Sequence, residues 1–324
     1  MNKHSVKGKD VAASFQPDQI LKAAGSDLLC DLDLTNDELG YLLDLADEVK
    51  RAPRNYGGSM AGKSIAMLFE KPSLRTKLTF QLAMSQMGGD SVFLEGPIGV
   101  REPLKDVARN LDRWSNGIVA RVFAQGTVEA LAQWSSVPVI NALSDSFHPC
   151  QALADVQTVR ERFGRLEGLK LTFIGDGNNV AQSLMLTAAR LGMDFALGCP
   201  QGYLPDPDIV AQAEGLAAVS KASITITHSA AEALEGAHAV YTDVWASMGQ
   251  EQEAVERKKA FHAYQVNDEL FAMARPDAIF LHCLPAKRGE EVTDSVIESE
   301  RSAVFQQAEN RLHAQKALLL MMLP

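Results

Sequence analysis

The chain has 324 residues, 46% of them apolar and 22% charged, which is the balance of a globular protein with room for two domains. Its formal net charge of -10 excludes nucleic acid or an anionic membrane as the main partner, because both attract a basic surface. An acidic chain that binds a small phosphate must concentrate its arginines in one place.

Residues 1–30 carry only weak structural signals. A helix is expected after Thr35, where Glu38 completes a capping box and Leu39, Leu42, Leu43, Ala46 and Val49 share one face. Residues 51–62, with Pro53, Gly57, Gly58 and Gly62, read as a loop. A strand at Ser64–Phe69 should hand over to a helix opening near Ser73. Further strands are expected at 91–94, 117–122 and 137–141, with helical segments between them. A long helix at Pro149–Phe163 leads into a second series, with strands at Lys170–Ile174, 195–198, 223–227, Ala239–Thr242 and 278–282. Alternation of this kind predicts an α/β protein of two doubly wound parallel-sheet domains joined by interdomain helices. The expected division is 1–150 and 151–304, with the last helix, about 305–324, packing back on the first domain. Residues 317–323 are apolar but far shorter than the ~20 residues of a membrane span, so they read as the end of a docked helix. The four cysteines, Cys30, Cys150, Cys199 and Cys283, form no Cys-x-x-Cys pair, which fits reduced thiols in the cytoplasm. The first ten residues lack the apolar stretch of a secretory signal, and Lys3, Lys7 and Lys9 are too few to assign targeting.

Six segments carry chemistry-bearing residues. Phe69-Glu70-Lys71-Pro72-Ser73-Leu74-Arg75-Thr76 puts hydroxyls and an arginine where a strand meets a helix N-terminus, a natural anion site. His148-Pro149-Cys150-Gln151 offers an imidazole and an amide that can read a carbonyl and an amine. Gly175-Asp176-Gly177-Asn178-Asn179 is an incomplete dinucleotide fingerprint, with Val180 and Ala181 where a third glycine would stand, so nicotinamide is weakly indicated. Asp243 to Gln250 places an acid, a hydroxyl and a glycine at a strand's carboxyl end, suited to an ammonium group. His282-Cys283-Leu284-Pro285 puts a thiol at another strand end, as a nucleophile or a small buried hydrophobe. Glu309-Asn310-Arg311-Leu312-His313 can return an arginine from the last helix.

Taken in order, these segments resemble the aspartate/ornithine carbamoyltransferase family, and its ornithine branch in particular, over about residues 35–320. The resemblance implies transfer of a carbamoyl group from carbamoyl phosphate to the side-chain amine of L-ornithine, giving citrulline, in a homotrimer or an assembly of trimers. It implies no metal and no cofactor. By the same resemblance Ser73, Leu74, Arg75, Thr76, Arg121, His148, Gln151, Cys283, Leu284 and Arg311 meet carbamoyl phosphate. Asn179, Asp243, Ser247 and Met248 meet ornithine, and Arg121, His148, Asp243 and Cys283 carry the catalysis. Two positions depart from the family pattern. Leu74 replaces a threonine of Ser-Thr-Arg-Thr, and Pro97 replaces a glutamine that reaches the neighbouring subunit's carbamoyl phosphate. Arg101 is the cation expected to act there instead. A carbamoyltransferase for N-acylornithine or putrescine, a nicotinamide-dependent oxidoreductase and a non-catalytic paralogue are the competing readings.

Overall fold

The computed structural model describes residues 20, 21, 23, 26–246 and 251–324. Its elements run α1 (Asn36–Arg51), β1 (Ser64–Phe69), α2 (Arg75–Gln86), β2 (Asp90–Glu95), α3 (Leu104–Trp114), β3 (Gly117–Arg121), α4 (Gln125–Gln133), β4 (Val139–Leu143) and α5 (Pro149–Phe163). The second series is β5 (Lys170–Ile174), α6 (Asn179–Arg190), β6 (Asp194–Gly198), α7 (Pro207–Ser220), β7 (Ile224–Thr227), α8 (Ala230–Leu234) and β8 (Ala239–Thr242). It ends with α9 (Ala254–Phe261), α10 (Asp268–Phe271), β9 (Ile279–His282), α11 (Asp294–Ile297) and α12 (Val304–Met322).

The strands form two sheets, ordered β2-β1-β3-β4 and β7-β6-β5-β8-β9, and every pair within them is parallel. Strand alternation explains the layering. In β1, Ile65, Met67 and Phe69 face α1, α2 and α12, while Ala66 and Leu68 face α3 and α4. In the second sheet Leu171 and Phe173 meet α6 and α7, and Ile174 and Val240 meet α8 and α10. Both sheets are therefore covered on both faces, as the near-continuous apolar strands require. The chain is an α/β protein of two parallel-sheet domains.

α1 forms where expected: Thr35 accepts the Glu38 N–H, and Glu38 returns a bond to the Thr35 backbone. α12 packs against α1, α2 and α5, and its last turns are buried in the core beside the first sheet. Three local expectations need correction. Residues 51–62 are not plain loop, because Pro53–Tyr56 form a 3-10 turn started by the proline's preset φ. α2 begins at Arg75 rather than near Ser73, with Leu74 at the cap position and no side chain capping it. β4 starts at Val139, since Pro138 has no N–H to give the ladder; the Val139 N–H goes to Asp27 at 2.7 Å.

Each sheet reverses its strand order once, between β1 and β3 and between β5 and β8. Ligands of open α/β sheets bind beyond the strands' carboxyl ends at such switch points. Here the two switch points open into one cavity.

Candidate active site

The cavity has a volume of about 970 Å³ and is lined from both domains. The loop after β1 gives Lys71, Ser73 and Leu74, leading into Arg75 and Thr76 of α2; β3 ends on Arg121, paired in register with Phe69. The head of α5 gives His148 and Gln151, and α12 gives Arg311. From the second domain come Asn179, Asp243, Cys283 and Leu284.

One end of the cavity is strongly cationic. No acidic residue lies in the first turn of α2, and no side chain caps it, so its N–H groups are available to an anion. Arg311 reaches across to donate to the Thr76 hydroxyl at 2.6 Å. The Nε atoms of Arg121 and Arg311 are buried without a partner among the described residues. Burial, and then the nearby Arg311, push the Arg121 guanidinium down to about 10. It remains charged at neutral pH. Lys71 is depressed by burial and by Arg121, and Arg75 by burial. Buried cations without carboxylate partners mark a site for an anion.

The middle of the cavity can read a small amide. Gln151 donates its Nε2 to Asp155 at 2.7 Å, which leaves its buried Oε1 free to accept an N–H. His148 is buried, with Nδ1 unpartnered among the described residues. Burial, then Arg311, Arg121 and Lys71, hold its pKa well below 6.5, so the ring is neutral.

At the second domain's end, Asp243 follows β8 and Cys283 follows β9. The Cys283 thiol donates to Asp243 Oδ1 at 3.0 Å, and Asn178 Nδ2 donates to Oδ2 at 3.0 Å. Burial and then Asp243 push the Cys283 thiol well above 9, so it is a protonated donor rather than a thiolate. Leu284 is held at φ 57, with its N–H on His282 Nδ1 at 2.8 Å. Because that N–H can only donate, His282 Nδ1 accepts, and Nε2 carries the proton shared with Glu291 at 3.1 Å. Asp243, His282 and Cys283 have ligand atoms within 4.8 Å of one another, yet both His282 nitrogens are engaged. This trio is a poor metal cage.

The glycine turn after β5 serves the chain itself. A Cβ on Gly177 would lie 2.3 Å from the Pro205 nitrogen, so the chain's own backbone occupies the side a pyrophosphate would approach.

Twelve of the fifteen residues expected at the site line this one cavity. Arg101 does not: it is exposed, in the turn before α3, away from its own chain's cavity. Ser247 and Met248 lie outside the described residues. Lys71 and Asn178 also line it and are not among the expected site residues. Lys71 sits two residues after β1, with its ammonium over the Phe123 ring at 4.8 Å, and its charge beside Ser73 and Arg75 is the available signal. Asn178 caps α6 through the Val180 and Ala181 N–H groups and also holds Asp243, while Asn179 donates to the Ser144 carbonyl at 2.7 Å. An asparagine just before an apolar helix is a typical cap.

Residues 26–161 match the family model described as aspartate/ornithine carbamoyltransferase, carbamoyl-P binding domain, and residues 167–322 match that of the Asp/Orn binding domain. The chain belongs to the aspartate/ornithine carbamoyltransferase family. Among carbamoyltransferases it is 49% identical to the ornithine carbamoyltransferase of Thermococcus kodakarensis over 312 residues, covering 94% of this chain and 98% of that one. It is 51% identical to that of Thermus thermophilus over 289 residues, covering 88% and 93%. The solved ornithine carbamoyltransferase of Pyrococcus furiosus superposes with a TM-score of 0.91 at 47% identity, over 94% of this chain and 99% of that one. The cationic residues from Lys71 to Arg121 fall within the carbamoyl-P model's span, and Asp243 and Cys283 within the other. Among the described residues no helix is long and apolar enough to cross a membrane.

Proposed function

We propose that this protein is an ornithine carbamoyltransferase, which moves the carbamoyl group of carbamoyl phosphate to the side-chain amine of L-ornithine and releases citrulline and phosphate. The observation that carries the reading is the two-ended cavity. Unpaired cations at the β1/β3 switch point face a carboxylate and a thiol at the β5/β8 switch point.

In this reading carbamoyl phosphate lies with its phosphate on the first turn of α2, held by Ser73, the Leu74 N–H, Arg75, Arg121 and Arg311. Lys71 adds charge. The carbamoyl oxygen meets Arg121, His148 and the Thr76 hydroxyl, and the carbamoyl NH2 donates to Gln151 Oε1. Asn179, Asp243, Ser247 and Met248 take the amino-acid end of ornithine, and Cys283 and Leu284 line the meeting point. The neutral amine attacks the carbamoyl carbon, forming the C–N bond as the C=O pair moves onto oxygen. Arg121, Thr76 and the neutral His148 stabilise that oxyanion, the kind of interaction that dominates acyl transfer. Collapse breaks the C–O bond to phosphate, which leaves with the electron pair, while Asp243 and Cys283 orient the amine and the proton it sheds passes to Asp243, directly or by relay through the thiol. The Asp243 oxygen that accepts from the thiol supports this role.

Residues 1–150 with 305–324 form the carbamoyl phosphate half and 151–304 the ornithine half. The functional unit is a cytoplasmic homotrimer or an assembly of trimers. The test is citrulline formation with carbamoyl phosphate and a panel of amines. Ornithine should be the preferred acceptor; preference for N-acylornithine or putrescine would overturn the assignment.

A further inference from the structure

Asp31 lies in the segment that leads into α1, and it is 8% exposed. This segment starts on the edge of the first sheet, where Leu28 pairs in parallel with Ile140 of β4. It then crosses to α6 of the second domain. Arg190, at the end of α6, fastens it. Its Nη1 donates to the Asp31 carbonyl at 2.5 Å, its Nη2 to the Leu34 carbonyl, and its Nε to Asn36 Oδ1 at 2.9 Å.

The Asp31 carboxylate faces back along α6. It accepts from the Ser183 hydroxyl at 2.5 Å and from the Thr187 hydroxyl at 3.1 Å. Ser183 has one hydroxyl proton, and Asp31 takes it. A lone pair of the same oxygen then accepts the backbone N–H of His148 at 2.8 Å. A carboxylate, a hydroxyl and an amide thus form one chain of hydrogen bonds that ends on the residue at the head of α5. Such chains strengthen one another in a dry interior. Burial pushes the Asp31 carboxyl up to about 7, against the two hydroxyls and Arg190. An apolar side chain would fill this place without that desolvation cost, so packing alone does not account for an acid here.

We propose that Asp31 is a positioning residue: through the Ser183 hydroxyl it sets the His148 backbone, and with it the angle at which the imidazole meets the carbamoyl oxygen. The inference rests on the carbamoyl-transfer reading above. It gives the segment before α1 a role in the reaction, although Asp31 touches no reacting atom. It also ties the head of α5 to α6, so a change in the angle between the domains reaches His148.

The test uses the full-length protein, with carbamoyl phosphate and ornithine varied separately. Asp31→Leu and Ser183→Ala should each lower kcat about tenfold, since small misplacements of a reacting group are costly. The KM for ornithine should stay within about twofold. Asp31→Asn should recover most of the lost kcat, because its amide oxygen still accepts the Ser183 proton. The double variant Asp31→Leu/Ser183→Ala should be no slower than the worse single one, as for two links of one chain. Unchanged kcat in folded Ser183→Ala and Asp31→Leu overturns the proposal, as does an Asn variant as slow as the Leu variant. If Asp31→Leu does not fold, Ser183→Ala and Asp31→Asn still decide. A wild-type chain that forms no carbamoylated product would sink the functional reading instead. The His148 amide signal in 15N NMR then decides the link alone: moved by Ser183→Ala and largely restored to its wild-type position in Asp31→Asn relative to Asp31→Leu, it stands; unmoved, it falls.

Discussion

Arg311 of α12 donates to the hydroxyl of Thr76 in the first turn of α2, across 235 positions of sequence. The bond brings a third guanidinium to the head of a helix that already presents Arg75 and faces Arg121. Arg311 and Arg75 both depress Arg121, Arg75 also depresses Arg311, and none of the three forms a carboxylate ion pair among the described residues. The folded protein holds mutually repelling charges in a buried pocket, an arrangement that costs stability until an anion arrives.

Arg121→Ala should therefore separate stability from turnover. A charge-assisted contact to phosphate or oxyanion is worth ~1.5–3 kcal/mol, so citrulline formation should fall about ten- to a hundredfold or more. Thermal unfolding without phosphate should shift little, because the lost guanidinium has an unpartnered Nε and like-charged neighbours. A folded variant with near wild-type turnover would make Arg121 a structural residue.

Leu74→Thr should tighten carbamoyl phosphate binding. Leu74 is 69% exposed at the open cap of α2, so little packing is lost on replacement. The new hydroxyl adds a neutral hydrogen bond of roughly 1 kcal/mol, or about a fivefold lower dissociation constant. Isothermal titration with carbamoyl phosphate, or with inorganic phosphate as a proxy, measures it. Weaker binding would mean that the leucine itself contributes at the mouth of the site.

Cys283 should resist alkylation. Its thiol is held protonated by burial and by Asp243, and only the thiolate reacts quickly. At pH 7.5, iodoacetamide should label it far more slowly than a free cysteine of pKa about 8.5, as read by peptide mass spectrometry. The sign of the linkage follows. Above about 8.5 the unfolded chain releases this proton and the folded chain keeps it, so stability should fall as pH rises. Cys283→Ser, which keeps a donor to Asp243, should retain more activity than Cys283→Ala; equal loss would remove the hydrogen bond from the mechanism.

Much of this site was legible because its residues cluster at strand ends. β1, β5, β8 and α5 lie at the residues that apolar runs and Pro149 mark out. Harder to read was which of two adjacent residues does a job. Asn178 rather than Asn179 caps α6 and holds Asp243, a difference set by backbone angles at the cap that sequence spacing does not carry. The link from Asp31 to Ser183 joins positions 152 apart across two domains, and no local pattern encodes it. Lys71 was visible in its motif but became a site residue only once β1 aimed it at the cavity.

The site should be completed by a neighbouring subunit, with Arg101 acting on that neighbour's carbamoyl phosphate. Arg101 is exposed and does not line its own chain's cavity, and Val100 beside it is 74% exposed. On the cavity's rim Leu74 and Phe123 are exposed apolar residues at 69% and 50%, a surface suited to burial by another chain. A cation on a loop facing outward serves an anion in a second copy better than one in its own fold. Arg101→Ala and His148→Ala should each be inactive alone. Mixed and allowed to exchange subunits, they should regain part of the wild-type activity, because some interfaces then pair an intact Arg101 with an intact His148. Light scattering and mass spectrometry verify that mixed oligomers have formed. If those oligomers stay inactive, the two residues do not meet across an interface and Arg101 is a solvated surface charge.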